Sequence, residues 1–215
     1  MQLYKSVWKE TSAVVNFPET ETSQIMAVVI GQPIKHSLSP LIHNTAFAIG
    51  NLNWTYHAIE VSKDKVQDCI KGVRENNIRG VSVTMPLKEA VIPFLDQLSE
   101  AASELQAVNC IYWDDKKLVG HNTDGEGFVN SLIAETGKDI SGSSFAIIGA
   151  GGAARSVIRA LRKASVGKIT IINRNHEKAI FAANLGGGDT DVGTAAEIPN
   201  CKYVINATSI GMVGT

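Results

Sequence analysis

The chain has 215 residues, 44% apolar and 19% charged, which is ordinary globular material and enough for one large domain or two small ones. Lys and Arg number 20 against 21 Asp and Glu, so no strongly basic face is available for nucleic acid or an anionic membrane, while a small neutral or anionic partner remains compatible. The three cysteines, Cys69, Cys110 and Cys201, are widely separated and form neither a C-x-x-C pair nor a His-associated cluster, which argues for a reducing compartment and no structural metal.

Residues 1–26 read as a polar extension: Lys5, Lys9, Glu10, Glu19 and Glu21 interrupt any apolar core of a secretory signal, and no run elsewhere approaches membrane-spanning length. A cytoplasmic protein is expected. From Met26 the pattern alternates strand and helix. "MAVVIG" predicts a buried strand ending at Gly31. Ser39 and Pro40 suit a helix N-cap and first helical position, with Ile42, Ala46 and Ile49 on one face and Gly50 as the stop. Trp54 to Val61 predicts a second strand. Ser62 is expected to cap a helix carrying Val66, Cys69, Ile70 and Val73 at i, i+3, i+4 and i+7. "RGVSVTMP" predicts a strand that ends by Met85, because Pro86 cannot continue a ladder. A helical stretch is expected from Leu87, then two strands about an Asp114-Asp115 turn, then a helix opened by Asp124 and carrying Phe128, Leu132 and Ile133.

"GKDISGSS", from Gly137 to Ser144, reads as a linker between sub-structures. Beyond it, "SFAIIG" predicts a strand, Ala154, Val157, Ile158 and Leu161 mark a helix face, and "KITIIN" a second strand. A helix over His176 to Leu185 and a strand at "KYVINATS" follow, with the glycine turn Gly186 to Asp189 between them. The expected class is α/β, with an amino-terminal unit over 27–123 and a doubly wound, Rossmann-like unit over 124–215.

Gly149-Ala150-Gly151-Gly152-Ala153-Ala154 matches G-x-G-x-x-A directly after a strand and at the opening of an amphipathic helix. There Gly149 permits the tight turn and Gly151 close approach of a pyrophosphate, and the helix start offers N–H donors and a positive dipole. About 20 positions on, where an NAD site would hold a carboxylate, stand Asn173, Arg174 and Asn175, with Lys178 one turn further. A guanidinium suits a 2′-phosphate that a carboxylate would repel, so NADP is favoured over NAD. The plain structural reading, less favoured, makes Arg174 and Lys178 solvated charges at a helix start.

The first half carries polar clusters at strand ends and helix starts: Ser37 to Pro40, Thr84 to Lys88, Asn109, and Asn122 to Gly125. Each also has a plain structural reading, with Ser39 as a helix cap, Asn109 as a turn residue, Lys88 as a surface cation and Asp124 as an N-cap. Taken together and in order, "GQPIKHSLSPLIHN", "GVSVTMPLKE", "AVNCIYW", "GHNTDGEGF", "GAGGAAR", "NRN" and "NATSIGM" resemble the shikimate dehydrogenase family over nearly everything from Val28 to Met212.

That resemblance implies an amino-terminal substrate domain, a carboxy-terminal Rossmann domain, and an active site in the cleft between them. It implies that Ser37 and Ser39 bond a substrate carboxylate, that Thr84, Asn109 and Asp124 bond its hydroxyls, and that Lys88 is the catalytic lysine, with Thr208 and Ser209 near the bound cofactor. The expected reaction is reversible, NADPH-dependent reduction of 3-dehydroshikimate to shikimate. Chemically, hydride transfer to a ketone leaves negative charge on oxygen, which a lysine ammonium can neutralise with a proton while Asp124 holds the ammonium in place.

Family members continue beyond "NATSIGM" with the rest of the Rossmann sheet, a glycine-containing loop, a helical return, and a substrate-binding tyrosine and glutamine. The Rossmann unit is therefore expected to be incomplete. Two further readings stay open, a quinate/shikimate dehydrogenase of broader range and a non-catalytic form that binds dinucleotide or substrate. A nucleic-acid role lacks any basic-aromatic stripe, and a homodimer is neither required nor opposed by the sequence.

Overall fold

The computed structural model describes residues 15, 17–18, 24–76 and 78–211. The chain forms two compact units that divide between His121 and Asn122. The segment 137–144 lies inside the second of them.

In the first unit β1 (Ile25–Gly31), β2 (Trp54–Glu60) and β3 (Ile78–Val83) are mutually parallel, β5 (Cys110–Asp114) and β6 (Lys117–His121) form a hairpin, and β4 (Gln97–Leu98) closes an edge. Their order in the sheet is β2-β1-β3-β5-β6-β4. The uninterrupted apolar run of β1 is explained by burial on both faces: Val28 and Ile30 enter the main core, while Ala27 and Val29 pack with Tyr56 and Ala58 on the other side. On the main-core side α2 (Val66–Glu75) contributes Val66, Cys69, Ile70 and Val73, all at most 2% exposed, as its helical spacing predicts. Burying each of its aliphatic side chains is worth roughly 1.5–3 kcal/mol. The same burial pushes the Cys69 thiol up to about 12, so it packs as a small hydrophobe.

Several local expectations need correction. The helix α1 (Ser39–Ile49) is capped by Leu38 rather than Ser39, with Ser39 and Pro40 already helical. Its Ile42 and Ile49 face is exposed, and contact with the sheet is made by Phe47 against Trp54 and by His43 stacked on Tyr56. Ser62 precedes a single 3₁₀ turn, Lys63–Lys65, and its hydroxyl bonds the Asp64 carboxylate at 2.6 Å instead of capping α2. After Leu87 the chain forms turns and the 3₁₀ segment Ile92–Phe94 rather than a helix, since Pro93 has no N–H to donate. In this unit the pattern also missed β4 and the six-residue α3 (Glu100–Leu105), whose first turn is capped by Ser99 accepting the Ala102 N–H at 3.2 Å. Most of 1–26 lies outside the described residues, but Val15 and Phe17 pack on the first core, with the Phe17 ring filling the space left by Gly72.

The second unit has four parallel strands in the order β10-β7-β8-β9, namely β7 (Phe145–Ile148), β8 (Ile169–Ile172), β9 (Thr190–Val192) and β10 (Tyr203–Asn206). The helices are α4 (Asp124–Thr136), which opens one residue after its cap Thr123, then α5 (Gly152–Lys163) and α6 (His176–Gly186). On α5 the positions Ala154, Val157, Ile158 and Leu161 are all buried, confirming the face read from their spacing. Strand β9 is three residues long and follows the glycine turn directly; its ladder with β8 and the Arg162 guanidinium on Thr190 hold it in place. Successive strands run outward from β7 to β9, and β10 then returns to the other side of β7. This reversal creates a switch point at the carboxyl ends of β7 and β10, the position where such sheets bind ligands. Among the described residues no helix is long and apolar enough to cross a membrane.

Candidate functional site

In the first unit the loops after β1 and β3 and the loop before β5 meet at one end of the sheet. Thr84 donates its N–H to Ile30 at 2.9 Å, Gln32 to Met85 at 3.0 Å, Val83 to Asn109 at 2.7 Å, and Val108 to Lys88 at 2.8 Å. These backbone bonds gather Thr84, Lys88 and Asn109 around the ends of β1 and β3. Gly31 makes that closeness sterically admissible, since a Cβ there would stand 2.4 Å from Thr84 Cγ2 and 2.9 Å from the Met85 carbonyl oxygen. The Thr84 carbonyl accepts the Leu87 N–H at 2.9 Å, forming the turn that delivers half-buried Lys88.

The serine loop leaves the same end of β1. Ser37 donates its N–H to Ile34 at 3.0 Å, and its hydroxyl oxygen accepts the Ser39 N–H at 3.3 Å. A hydroxyl that accepts through one lone pair still has its proton to donate. Sequence reasoning did not find the neighbouring pair of Tyr56 and Ser82: the 3% exposed Tyr56 donates its hydroxyl to Ser82 Oγ at 2.7 Å, on β3 two residues before Thr84. Burial pushes the Tyr56 phenol above its ordinary range, opposed by the Ser82 hydrogen bond. Only the sheet order, with β2 and β3 flanking β1, brings these residues together, and no local pattern signals it.

In the second unit Asp124 is the first residue of α4, and its N–H is bonded by Asn122 Oδ1 at 3.1 Å. A carboxylate in a first turn is favoured by the helix dipole. The glycine turn after β7 sits at the switch point. Gly149 has φ +115, a conformation glycine adopts without strain, and a Cβ on it would stand 3.0 Å from the Ala207 carbonyl oxygen. Ala150 is buried, Gly151 precedes α5, and Gly152 and Ala153 open the helix. Thr208 and its turn close over this place from β10: Asn206 Oδ1 accepts both the Thr208 N–H at 3.0 Å and its hydroxyl at 2.6 Å, with Ser209 next in the chain and exposed. At the end of β8 Asn173 donates its side-chain amide to the Asn175 carbonyl at 2.8 Å, and Asn175 caps α6 by accepting the Lys178 N–H at 2.9 Å. Arg174 and Lys178 are exposed there.

These residues fit a dinucleotide. Open space lies beside Gly151, where an added Cβ would meet nothing within 4 Å, and the α5 start offers N–H groups that no helical carbonyl can reach. Two cations stand at the end of the adjacent strand, where a 2′-phosphate would need them. Among the described residues no group of three or more His, Cys, Asp or Glu side chains is placed to hold a metal ion.

Comparison with known proteins agrees with both halves. Residues 29–111 match the family model described as shikimate dehydrogenase substrate binding domain, and residues 131–210 the model described as shikimate / quinate 5-dehydrogenase. A curated shikimate dehydrogenase (NADP(+)) from Moorella thermoacetica is 40% identical over 204 residues, covering 90% of this chain and 69% of that protein. The crystal structure of shikimate dehydrogenase from Aquifex aeolicus superposes with a TM-score of 0.82 at 34% identity, covering 90% of this chain and 72% of that one. The enzyme from Thermus thermophilus in complex with NADP(H) and shikimate gives a TM-score of 0.78 at 32% identity, covering 86% and 69%. With both family models matched in order over most of its length, the chain belongs to the shikimate dehydrogenase family.

Proposed function

We propose that the chain catalyses the reversible, NADPH-dependent reduction of 3-dehydroshikimate to shikimate, a step toward chorismate and the aromatic amino acids. The observation that carries this reading is the gathering of Thr84, Lys88 and Asn109 at one end of the first sheet, beside the serine loop, in a chain whose relatives are named shikimate dehydrogenase (NADP(+)).

In this reading Ser37 and Ser39 donate their hydroxyl protons to the substrate carboxylate. Thr84, Asn109 and Asp124 bond the ring hydroxyls, and a site built around several hydroxyls rejects analogues that lack one, because its own polar groups would be left unpaired. When bound, the nicotinamide supplies the hydride. Lys88 passes its ammonium proton to the carbonyl oxygen as negative charge develops there, and as a neutral amine it takes that proton back in the oxidation direction. Gly149 to Ala153 would hold the pyrophosphate on backbone N–H groups, with Asn173, Arg174 and Lys178 toward the 2′-phosphate and Thr208 and Ser209 on the opposite flank. A cytoplasmic location belongs to the same reading, supported by three free cysteines; a homodimer is compatible with it.

The test is Lys88→Ala. Loss of a general acid–base group should lower kcat by about 10²- to 10⁴-fold, while shikimate affinity measured by calorimetry changes far less. Near-normal turnover would overturn the role assigned to Lys88.

A further inference from the structure

We propose that Asn122 and Ser156 are positioning residues for Asp124, tying the turn of α4 that carries this carboxylate to the opening turns of α5. The inference rests on the reading of Asp124 as a substrate-binding group.

Three observations within the second unit carry it. First, the start of α4 has no side-chain cap from Thr123; the Asp124 N–H is instead held by Asn122 Oδ1 at 3.1 Å. Second, that same oxygen lies 3.0 Å from the Ser156 hydroxyl, which is also within 2.8 Å of the Gly152 carbonyl at the first position of α5. Asn122 is 5% exposed and Ser156 2%, so water does not compete for these bonds. Third, the helices touch backbone to backbone at this point: a Cβ on Gly125 would stand 2.0 Å from the Ser156 carbonyl oxygen and 2.6 Å from its carbon.

Asp124 is thus joined through one buried amide to the helix that begins with the dinucleotide-binding turn. Neither can shift against the other without breaking a buried hydrogen bond or separating a packed glycine contact. Hydride transfer is steep in distance and angle, with a misplacement of about 1 Å able to cost roughly 10²-fold in rate. A rigid link between a substrate-facing carboxylate and the dinucleotide cradle serves that alignment. Asn122 reads in sequence as a loop residue, and Ser156 lies 34 positions away on a helix face.

The test uses the full 215-residue chain with Ser156→Ala, Asp124→Ala and the double variant. Amide hydrogen exchange is followed at Asp124, with Val129 in the middle of α4 as the internal reference, and shikimate affinity is measured by calorimetry. Loss of one net hydrogen bond corresponds to about a three- to tenfold effect. Ser156→Ala should therefore speed exchange at Asp124 but not at Val129 and weaken shikimate binding by about that factor. In the Asp124→Ala background it should weaken binding no further, an outcome a purely structural serine would not produce. Wild-type exchange at Asp124 in Ser156→Ala, or a fully additive loss of affinity in the double variant, would overturn the proposal. Wild-type affinity in Asp124→Ala alone would sink the assignment of Asp124 itself, a separate failure recognisable because exchange at Asp124 would still respond to Ser156→Ala.

Discussion

Gly31→Ala probes how the first sheet builds its ligand end. The φ of Gly31 lies outside the left-handed region, so alanine is acceptable to the backbone and the penalty comes from space alone. The new methyl would meet Thr84 Cγ2 at 2.4 Å and the Met85 carbonyl oxygen at 2.9 Å, and the second of these is main chain that cannot swing aside. Overpacking of this kind costs about 1–3 kcal/mol, and the stiffer unfolded chain offsets about 0.4–1 kcal/mol of it. The net loss is roughly 1–2 kcal/mol, or about 3–6 °C in Tm for a chain of this size. Because Thr84 is the group displaced, shikimate affinity should fall together with stability. Thermal melts and calorimetry on the variant measure both, and Gly31→Ala/Thr84→Ser, which removes the nearer contact, should recover part of the lost Tm. A variant that melts with the wild type, or a double variant with no recovery, would refute the steric argument.

Gly149→Ala should weaken NADP binding at least tenfold in a fluorescence titration while leaving shikimate affinity unchanged, since φ +115 and the Ala207 carbonyl at 3.0 Å both oppose a side chain there. Arg174→Ala should raise KM for NADP and leave that for NAD nearly unchanged, so steady-state kinetics with both cofactors show a smaller preference. The Arg74 guanidinium, bonded to Asp96 at 2.8 and 3.1 Å, holds that carboxyl below its ordinary range. A depressed folded value means the stabilisation is present above the ordinary aspartate value and is lost as pH falls through the folded one. The pair is about one third exposed, so the amount is at most about 1 kcal/mol; urea melts should show Asp96→Asn less stable than wild type at pH 7 and equal to it in strong acid.

How much was legible depended on whether the signal was local. The helices α2 and α5 could be read because their buried residues repeat at helical spacing, and β1, β7 and β8 because strands buried on both faces are continuous apolar runs. The hairpin of β5 and β6 was marked by its Asp114-Asp115 turn, where Asp115 takes φ 51. Elements that owe their existence to a neighbour were not legible. The two residues of β4 are strand only through pairing with β6, and the three of β9 only through pairing with β8. On α1 the periodic Ile42 and Ile49 pointed to a buried face, yet among the described residues the sheet is met by Phe47 and His43 instead. The same division holds at the site. Gly149 to Ala153 announce themselves by glycine spacing next to a strand, and Lys88 and Asp124 by the strings around them. The links of Tyr56 to Ser82 and Asn122 to Ser156 exist only as distances across the fold.

The central claim is tested most directly by incubating the purified chain with shikimate and NADP and following NADPH by its absorbance, with quinate and NAD in parallel. The account predicts NADPH formation that needs shikimate and is faster with NADP than with NAD. A folded chain that forms no NADPH under these conditions, or that oxidises quinate in preference to shikimate, would contradict it.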